Sequence, residues 1–224
     1  MQEMKPNSSW AVVIGDIVAS RRAPDRAHLH VTVEEALQSV NARVPAVAPL
    51  AITVGDEFQG IYATLGAAIE ATFRVRLALL PGVDTRYGIG RGASTVLDAD
   101  RGIHDGPAWW AARTAIEVAA GGGKGALGGL RTTYRIAPDA QDLAEHGGPN
   151  EELAVNASLL CRDHLVGSVS TRSLRLLRGL MDGQATQAAL AAQEGISASA
   201  VSQRIRADGL GVILEAQAFL GALT

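Results

Sequence analysis

Residues 50–63 read LAITVGDEFQGIYA, two apolar runs joined by the tight turn Gly55-Asp56. Two short apolar runs on either side of such a turn predict a β-hairpin. The two strands are predicted over 50–54 and 58–63. The tip of this hairpin therefore carries two neighbouring carboxylates, those of Asp56 and Glu57.

The chain on either side of the hairpin predicts further strands and helices. Residues 10–15, WAVVIG, form a β-branched apolar run that is typical of a buried central strand, and Asp16 follows it directly. Apolar residues recur at helical spacing over 26–44, 65–80 and 107–120, and residues 85–92, TRYGIGRG, alternate like a strand. The order of strand, helix, hairpin, helix, strand and helix favours a ferredoxin-like α+β sandwich. In this kind of α/β fold, an antiparallel sheet carries its helices on one face.

The last part of the chain predicts a small all-α domain with a helix-turn-helix. The small residues Ala191 and Ala192 precede the turn at Gly195, and apolar Val201 and Ile205 would pack beneath the second helix. A final apolar helix over 209–223 is a candidate for pairing two chains. The predicted domains are an α/β domain at 1–137, a linker with a bridging helix at 138–167 and the helix-turn-helix domain at 168–224.

Side chains early in the second helix of such a motif face the base edges of DNA. The expected DNA contacts are Ser199, Ser202, Gln203, Arg204 and Arg206. Gln suits adenine and Arg suits guanine, and Arg204 is expected at a phosphate. The alternative is a helical hairpin that only dimerises the protein. Residues 170–224 leave this alternative open, since they carry five arginines against four acids.

The composition of the 224 residues limits what the protein can be. Apolar residues make up 47% and aromatic residues 4%, so the core must be built from aliphatic side chains. A net charge of −3 excludes a strongly basic nucleic-acid wrapper, and a single cysteine, Cys161, excludes an internal disulfide. The sequence has neither a signal-peptide pattern nor a membrane-spanning run, so a cytoplasmic location without a membrane partner is expected.

Acidic residues follow two of the predicted apolar strands. Asp16 ends the first strand, and Asp56 and Glu57 lie at the hairpin tip, next to the first strand in a ferredoxin-like sheet. Carboxylates that meet in this way suit Mg²⁺ or Mn²⁺, and two acids that bridge two cations suit phosphoryl chemistry. The alternative is that each Gly-Asp pair is ordinary turn chemistry.

The segment after Asp16 is the candidate phosphate-binding segment. Backbone N–H groups at its start could face a polyphosphate, and its two arginines could pair with the phosphates. The expected contacts are Ile17, Val18, Ala19, Ser20, Arg21 and Arg22. A nucleoside triphosphate or a related nucleotide is therefore the expected partner.

Four motifs in the first half of the chain resemble the SatD family. They are VIGDIVASR at 13–21, TVGDEFQG at 53–60, RYGIGRG at 86–92 and DGPAWWAAR at 105–113. In that family, too, a helix-turn-helix follows the N-terminal domain, so the resemblance implies the same arrangement here.

The same segments are distantly similar to the palm domain of class III nucleotide cyclases and diguanylate (GGDEF) cyclases. This similarity implies that Asp16 and Asp56 bind metal and, if the protein is an enzyme, that both act in catalysis with Arg113. Two departures argue against ordinary cyclisation. Trp109 stands where these cyclases have a transition-state Asn, and Ile52 stands where they have a base-reading Lys. Palm cyclases build their sites between two chains, so a homodimer is expected.

Three functions are compatible with these features. The favoured one is a DNA-binding regulator whose palm domain binds a nucleotide with Mg²⁺. The second is an active nucleotidyl-transfer enzyme, either a nucleotide cyclase or an oligonucleotide synthase. The third is a non-catalytic dimeric scaffold in which the acids are vestigial. The loss of both cyclase groups places the regulator first.

Overall fold

The computed structural model describes residues 9–98, 102–122, 128–138, 148–181, 183 and 185–224. The strands are β1 (Trp10–Ile17), β2 (Ala48–Ile52), β3 (Glu57–Tyr62), β4 (Thr85–Gly92), β5 (Thr95–Asp98), β6 (Ile103–Asp105) and β7 (Thr132–Ile136). The helices are α1 (Arg26–Asn41), α2 (Leu65–Leu79), α3 (Pro107–Gly122), α4 (Gly148–Ser168), α5 (Thr171–Met181), α6 (Gln187–Glu194), α7 (Ala198–Ala207) and α8 (Leu210–Gly221). None of the helices in these ranges is both long enough and apolar enough to span a membrane. The predicted α+β class is confirmed.

Five strands form one sheet in the order β2-β3-β1-β4-β7. The first four follow the ferredoxin-like order, with β1 antiparallel to both β3 and β4, and with β2 and β3 joined as the predicted hairpin. The expectation of a wholly antiparallel sheet was wrong at one edge, because β7 pairs parallel with β4. A parallel neighbour needs a crossover connection, and α3 supplies the helix of that crossover.

Helices cover both faces of the sheet, whereas the sequence predicted helices on one face only. Helices α1 and α2 pack on the face that contains Val13, Tyr62 and Ile89. Helix α3 packs on the opposite face, against Val12 and Ile14. Because both faces of β1 are apolar, a single layer of helices would leave one of them in water.

Two glycines in β4 bring α3 into direct contact with the sheet. A Cβ atom at Gly88 would lie 2.1 Å from the carbonyl oxygen of Ala112, and one at Gly90 would lie 2.0 Å from that of Ala108. No side chain fits at such a distance, so the TRYGIGRG strand needs glycine for the close packing of helix on backbone. This packing determines where Arg113 of α3 lies over the sheet.

The C-terminal helices share a hydrophobic core with the α/β domain. Phe73 and Leu77 of α2 pack in one buried cluster with Leu177 of α5, Leu190 of α6 and Ile213 of α8. Helix α4 lies along β7, and α8 packs on α2 and α4. The domain boundaries after residues 137 and 167 remain predictions, but apolar contacts cross both of them.

Strands β5 and β6 form a separate two-stranded sheet that was not predicted from the sequence. The side chains of Leu97 and Ile103 in these strands are exposed. Strands are recognised in a sequence by alternation between a buried and an exposed face, and these short strands lack a buried face.

Candidate functional site

Asp16 lies at the end of β1, between the two strands that flank it. In the sheet register it faces Glu57 of β3 on one side and Arg86 of β4 on the other. The guanidinium of Arg86 donates to both carboxylate oxygens, from Nε to Oδ1 at 2.9 Å and from Nη2 to Oδ2 at 2.8 Å. The Arg86 and Asp16 side chains are only 23% and 25% exposed, so this bidentate pair satisfies a partly buried carboxylate.

Glu57 makes a second ion pair on the same face of the sheet. Arg113 of α3 donates to both of its oxygens, with Nη2 at 2.8 Å from Oε1, and Gln59 donates to Oε1 at 2.7 Å. The hydrogen bonds from Arg113 hold the pKa of Glu57 below its ordinary value of 4.5, against the opposite effect of burial. The same contact raises the pKa of Arg113, so both groups are charged at neutral pH.

Asp56 has a different partner. It accepts a hydrogen bond from the hydroxyl of Ser20, in the segment that follows β1. Ser20 begins a short 3₁₀ helix, Ser20–Arg22, and Ala19 before it has the left-handed backbone conformation with φ 58°. A non-glycine residue in this conformation costs roughly 1–2 kcal/mol. The bond to Asp56 therefore helps to hold a strained loop against the hairpin tip.

A cavity of about 730 Å³, the arginine-lined cavity, opens beside this loop. The charged residues in its wall are Arg21, Arg22, Arg86, Arg131 and Asp56. Arg86 and Arg131 are each paired with an aspartate. The other two arginines are exposed and, within the part of the chain that the structure describes, make no ion pair. The cavity wall is therefore cationic and suits a phosphate-bearing ligand.

A second cavity of about 460 Å³, the apolar cavity, adjoins the same loop. Residues 17–20 and Arg22 line both cavities, so the loop forms the wall between them. The apolar cavity is further lined by His28 and Leu29 at the start of α1 and by Leu79 at the end of α2. Most of the lining residues are apolar, and the polar ones include Asp25 and Asp84. An apolar lining with polar groups at its rim suits a flat ring such as a nucleobase.

Helices α6 and α7 form a helix-turn-helix. Gly195 ends α6 in the left-handed conformation, with φ 64°. The side chain of Ser197 caps α7 by accepting a hydrogen bond from the backbone N–H of Ala200. Val201 of α7 is fully buried against the C-terminal core. The turn and the cap together set the angle at which α7 leaves α6.

Three of the predicted DNA contacts, Ser199, Gln203 and Arg206, are exposed on the face of α7 that lies opposite the buried Val201. Ser202 is half-buried at the edge of this face, where its hydroxyl accepts a hydrogen bond from Arg206 at 2.9 Å. Arg204 lies on the flank of the helix instead, where Ser170 accepts from it at 3.3 Å and Asp208 pairs with it at 3.5 Å. A phosphate contact by Arg204 would therefore require this ion pair to open.

Helix α8, the predicted candidate for pairing two chains, uses much of its apolar surface within its own chain. Leu210 and Ile213 are buried in the core of their own chain. Val212 and Phe219 are instead 64% and 70% exposed. Any pairing through this helix would therefore use the side that carries Val212 and Phe219.

The whole arrangement, from β1 to α8, falls within one family model. The model described as SatD family matches residues 10–220. The chain belongs to the SatD family. The matched range includes the five-stranded sheet, both cavities and the helix-turn-helix of this SatD-family protein. No curated protein matches the chain.

The predicted acids of the SatD-family chain fall into two places. Asp16 and Glu57 are neighbours across β1 and β3, whereas Asp56 lies in the wall of the arginine-lined cavity. Among the residues that the structure describes, no three acidic, histidine or cysteine side chains are grouped in a way that could hold a metal ion. The metal-binding role of the three acids stays a prediction.

Two arginines of the SatD-family site were missed from the sequence. Arg86 pairs with Asp16, and Arg131, just before β7, reaches the cavity wall. A signal for Arg86 existed, because a strand antiparallel to β1 can place a cation directly opposite Asp16. No comparable signal existed for Arg131, whose position depends on the parallel pairing of β7 at the sheet edge.

Proposed function

We propose that this SatD-family protein is a DNA-binding regulator that responds to a nucleotide together with Mg²⁺. The α/β domain would act as the sensor, and α6 and α7 as the DNA reader. The observation that supports the proposal is that α2 belongs to two cores. It packs on the sheet, and through Phe73 and Leu77 it also packs against the C-terminal helices. A ligand held by the α/β domain would therefore influence the helices that contact DNA.

The nucleotide is proposed to lie across the loop that separates the two cavities. Its phosphates would meet the exposed guanidinium groups of Arg21 and Arg22, and its base would enter the apolar cavity beside His28 and Leu29. Hydrogen bonds between arginine and phosphate are among the strongest polar contacts in proteins. A nucleoside triphosphate or a related nucleotide supplies both the anionic tail and the flat ring.

Mg²⁺ or Mn²⁺ fits this proposal as a companion of the phosphates. Mg²⁺ commonly takes one or two carboxylates and completes its shell with phosphate oxygens and water. Asp56 is the carboxylate in the wall of the arginine-lined cavity, and its contact with the Ser20 hydroxyl leaves acceptor positions open. Asp16 suits the cation less well, because Arg86 occupies both of its oxygens.

The same contacts favour the regulator over a nucleotidyl-transfer enzyme. Two-metal phosphoryl chemistry would need Asp16 and Asp56 to hold cations between them, whereas Asp16 is already neutralised by Arg86. Arg113, the third candidate catalytic residue, is likewise paired with Glu57. An enzyme would have to break both ion pairs before any metal-dependent step.

DNA is proposed to bind the exposed face of α7. Gln203 and Arg206 on this face offer the pairings that suit adenine and guanine. Helix-turn-helix proteins commonly bind as dimers to half-sites one helical turn apart, so we propose a homodimer. We further propose that it binds DNA in the cytoplasm. The exposed side chains of Val212 and Phe219 on α8 are the candidates for the contact between the two chains.

Selection from random duplex DNA, followed by fluorescence anisotropy on the selected sequence, tests this function. We expect binding that weakens as salt rises and that changes by about 5-fold or more when nucleotide and Mg²⁺ are added. Arg206→Ala should weaken binding by about 1–3 kcal/mol. The exposed Arg43, just after α1, provides the matched control Arg43→Ala, which should leave binding unchanged. The absence of salt-sensitive binding at every nucleotide and metal concentration would refute the proposal.

A further inference from the structure

A third cavity, of about 350 Å³, lies where the α/β domain meets the connection between α4 and α5. We call it the junction cavity. Its charged and titratable lining consists of Arg76, Asp84, Arg131 and His164. Gly167 at the end of α4 and Thr171 at the start of α5 also line it. The cavity therefore lies where the predicted helix-turn-helix domain begins.

Arginines outnumber aspartates around the junction cavity. Asp84 pairs with Arg131 at 2.6 Å and with Arg76 at 3.4 Å. The fully buried Asp163 pairs with Arg76 at 3.0 Å and with the fully buried Arg162 at 3.3 Å. Three arginines and two aspartates leave one positive charge without a counterion. A buried charge in this situation is unfavourable unless an anion accompanies it.

The guanidinium of Arg76 shows where that anion would bind. The Arg76 side chain is only 3% exposed, and it donates through Nε to Asp84 and through Nη1 to Asp163. Among the residues that the structure describes, the hydrogen bonds of the Arg76 side chain come from Nε and Nη1, and none accepts from its Nη2 atom. This atom would lie 3.9 Å from a Cβ placed on Gly167, which is in the cavity wall. A buried side chain therefore presents unused donors to the cavity.

We infer that the junction cavity binds a small free oxyanion with the charge and shape of inorganic phosphate. Nη2 of Arg76 would be its main donor, with Arg131 and His164 beside it. The anion would neutralise the surplus charge and contact the connection between α4 and α5. This site is distinct from the proposed nucleotide site, although it shares Arg131 with the arginine-lined cavity and Asp84 with the apolar cavity.

Thermal unfolding of the full chain in sodium phosphate, compared with sodium chloride at equal ionic strength, tests the inference. At about ten times the Kd, phosphate should raise Tm by roughly 3–6 °C. The double variant Arg21→Ser, Arg22→Ser removes exposed cations of the arginine-lined cavity and should keep this response. Its loss in that variant would assign the phosphate to the nucleotide site and overturn the junction site.

A carboxylate built into the cavity wall provides the opposite test. Gly167→Asp should supply an internal partner for Arg76, so the variant should be more stable without phosphate and should lose the phosphate response. Gly167→Asn has the same shape without the charge and should keep the response. A wild-type response in Gly167→Asp would overturn the inference, and so would stabilisation by ATP but not by inorganic phosphate.

A second variant covers the case in which Gly167→Asp fails to fold. His164 is exposed on α4, so His164→Glu should fold normally. Its negative charge would repel the anion and should weaken phosphate binding at least about 5-fold in calorimetric titration. An unchanged Kd in this variant would place the phosphate elsewhere.

Discussion

Arg86 and Asp16 face each other across β4 and β1, joined by two hydrogen bonds of 2.9 and 2.8 Å. Similarity to the cyclase palm implies a metal ligand at Asp16, yet the charge of this carboxylate is already balanced by an arginine. Because Arg86 also lines the arginine-lined cavity, Asp16 competes with any phosphate for the same guanidinium. Substitution of Asp16 therefore separates the two possible roles of this residue.

Asp16→Asn is expected to strengthen nucleotide binding severalfold, because it releases Arg86 for the phosphates. A metal ligand would behave in the opposite way, and its loss would weaken binding only when Mg²⁺ is present. Calorimetric titration with ATP, with and without Mg²⁺, distinguishes the two outcomes. Asp105→Asn on β6, outside the cavity wall, is the control. If the Asp16 variant binds ATP more weakly than the wild type, and only in the presence of Mg²⁺, Asp16 is a metal ligand.

Arg22→Ala is expected to weaken nucleotide binding by about 10-fold or more, since hydrogen bonds to charged groups contribute roughly 1.5–3 kcal/mol. Arg22 is exposed and lines both cavities, so its loss should leave Tm almost unchanged. Calorimetric titration gives the affinity, and a melting curve on the same sample gives the stability. Arg43→Ala should change neither quantity. Equal nucleotide affinity of the wild type and Arg22→Ala would show that the phosphates do not bind at this loop.

Gly90→Ala is expected to destabilise the fold by about 3 kcal/mol or more, because overpacking against backbone cannot be relieved by side-chain rotation. The added Cβ would lie 2.0 Å from the carbonyl oxygen of Ala108. Gly211→Ala on α8 is the matched control, since a Cβ there meets no atom within 4 Å. This control should be neutral or stabilising by up to about 1 kcal/mol. Urea unfolding of both variants checks the contrast, and equal stabilities would contradict it.

The pair of Glu57 and Arg113 predicts a component of stability that is lost in acid. The pKa of Glu57 in the folded protein lies below 4.5, so the unfolded chain binds the proton more readily. The stabilisation is therefore present above pH 4.5 and disappears as the pH falls through the lower folded-state pKa. Its size is modest, because the Arg113 side chain is 47% exposed.

Glu57→Gln should remove this acid-dependent component. Urea unfolding between about pH 3 and pH 7 measures it, since stability depends on pH wherever the two states bind different numbers of protons. The variant should be less stable than wild type at neutral pH, and the difference should shrink towards pH 3. If the free energy of unfolding of the wild type and of Glu57→Gln depends on pH in the same way, the charge of Glu57 does not contribute to stability.

Local patterns in the sequence predicted the ferredoxin-like strands and helices correctly. The hairpin around Gly55-Asp56 and the strand TRYGIGRG are each defined by residues that are close together in the chain. The parallel pairing of β7 and the position of α3 on the second face depend on a crossover over distant residues. Periodicity carries no information about such a choice.

The candidate site was predictable only in part. The loop that contains Ser20 and the hairpin acid Asp56 do come together, as the order of strands implied. The ion pairs that neutralise Asp16 and Glu57 were not predicted, because they depend on where the side chains of Arg86 and Arg113 end. The spacing of residues along the chain indicates which acids lie near one another in the fold, but it does not indicate which arginines form ion pairs with them.

Helix α2 contributes side chains to two buried apolar clusters, one on each of two sides of the helix. Ile69 and Val75 lie in the core of the sheet, and Phe73 and Leu77 lie with α5 and α8. Loss of either half would expose a stripe of α2 to water, and the remaining half would lose part of its own core. Differential scanning calorimetry should therefore record a single cooperative transition, and neither half is expected to remain folded when it is expressed alone.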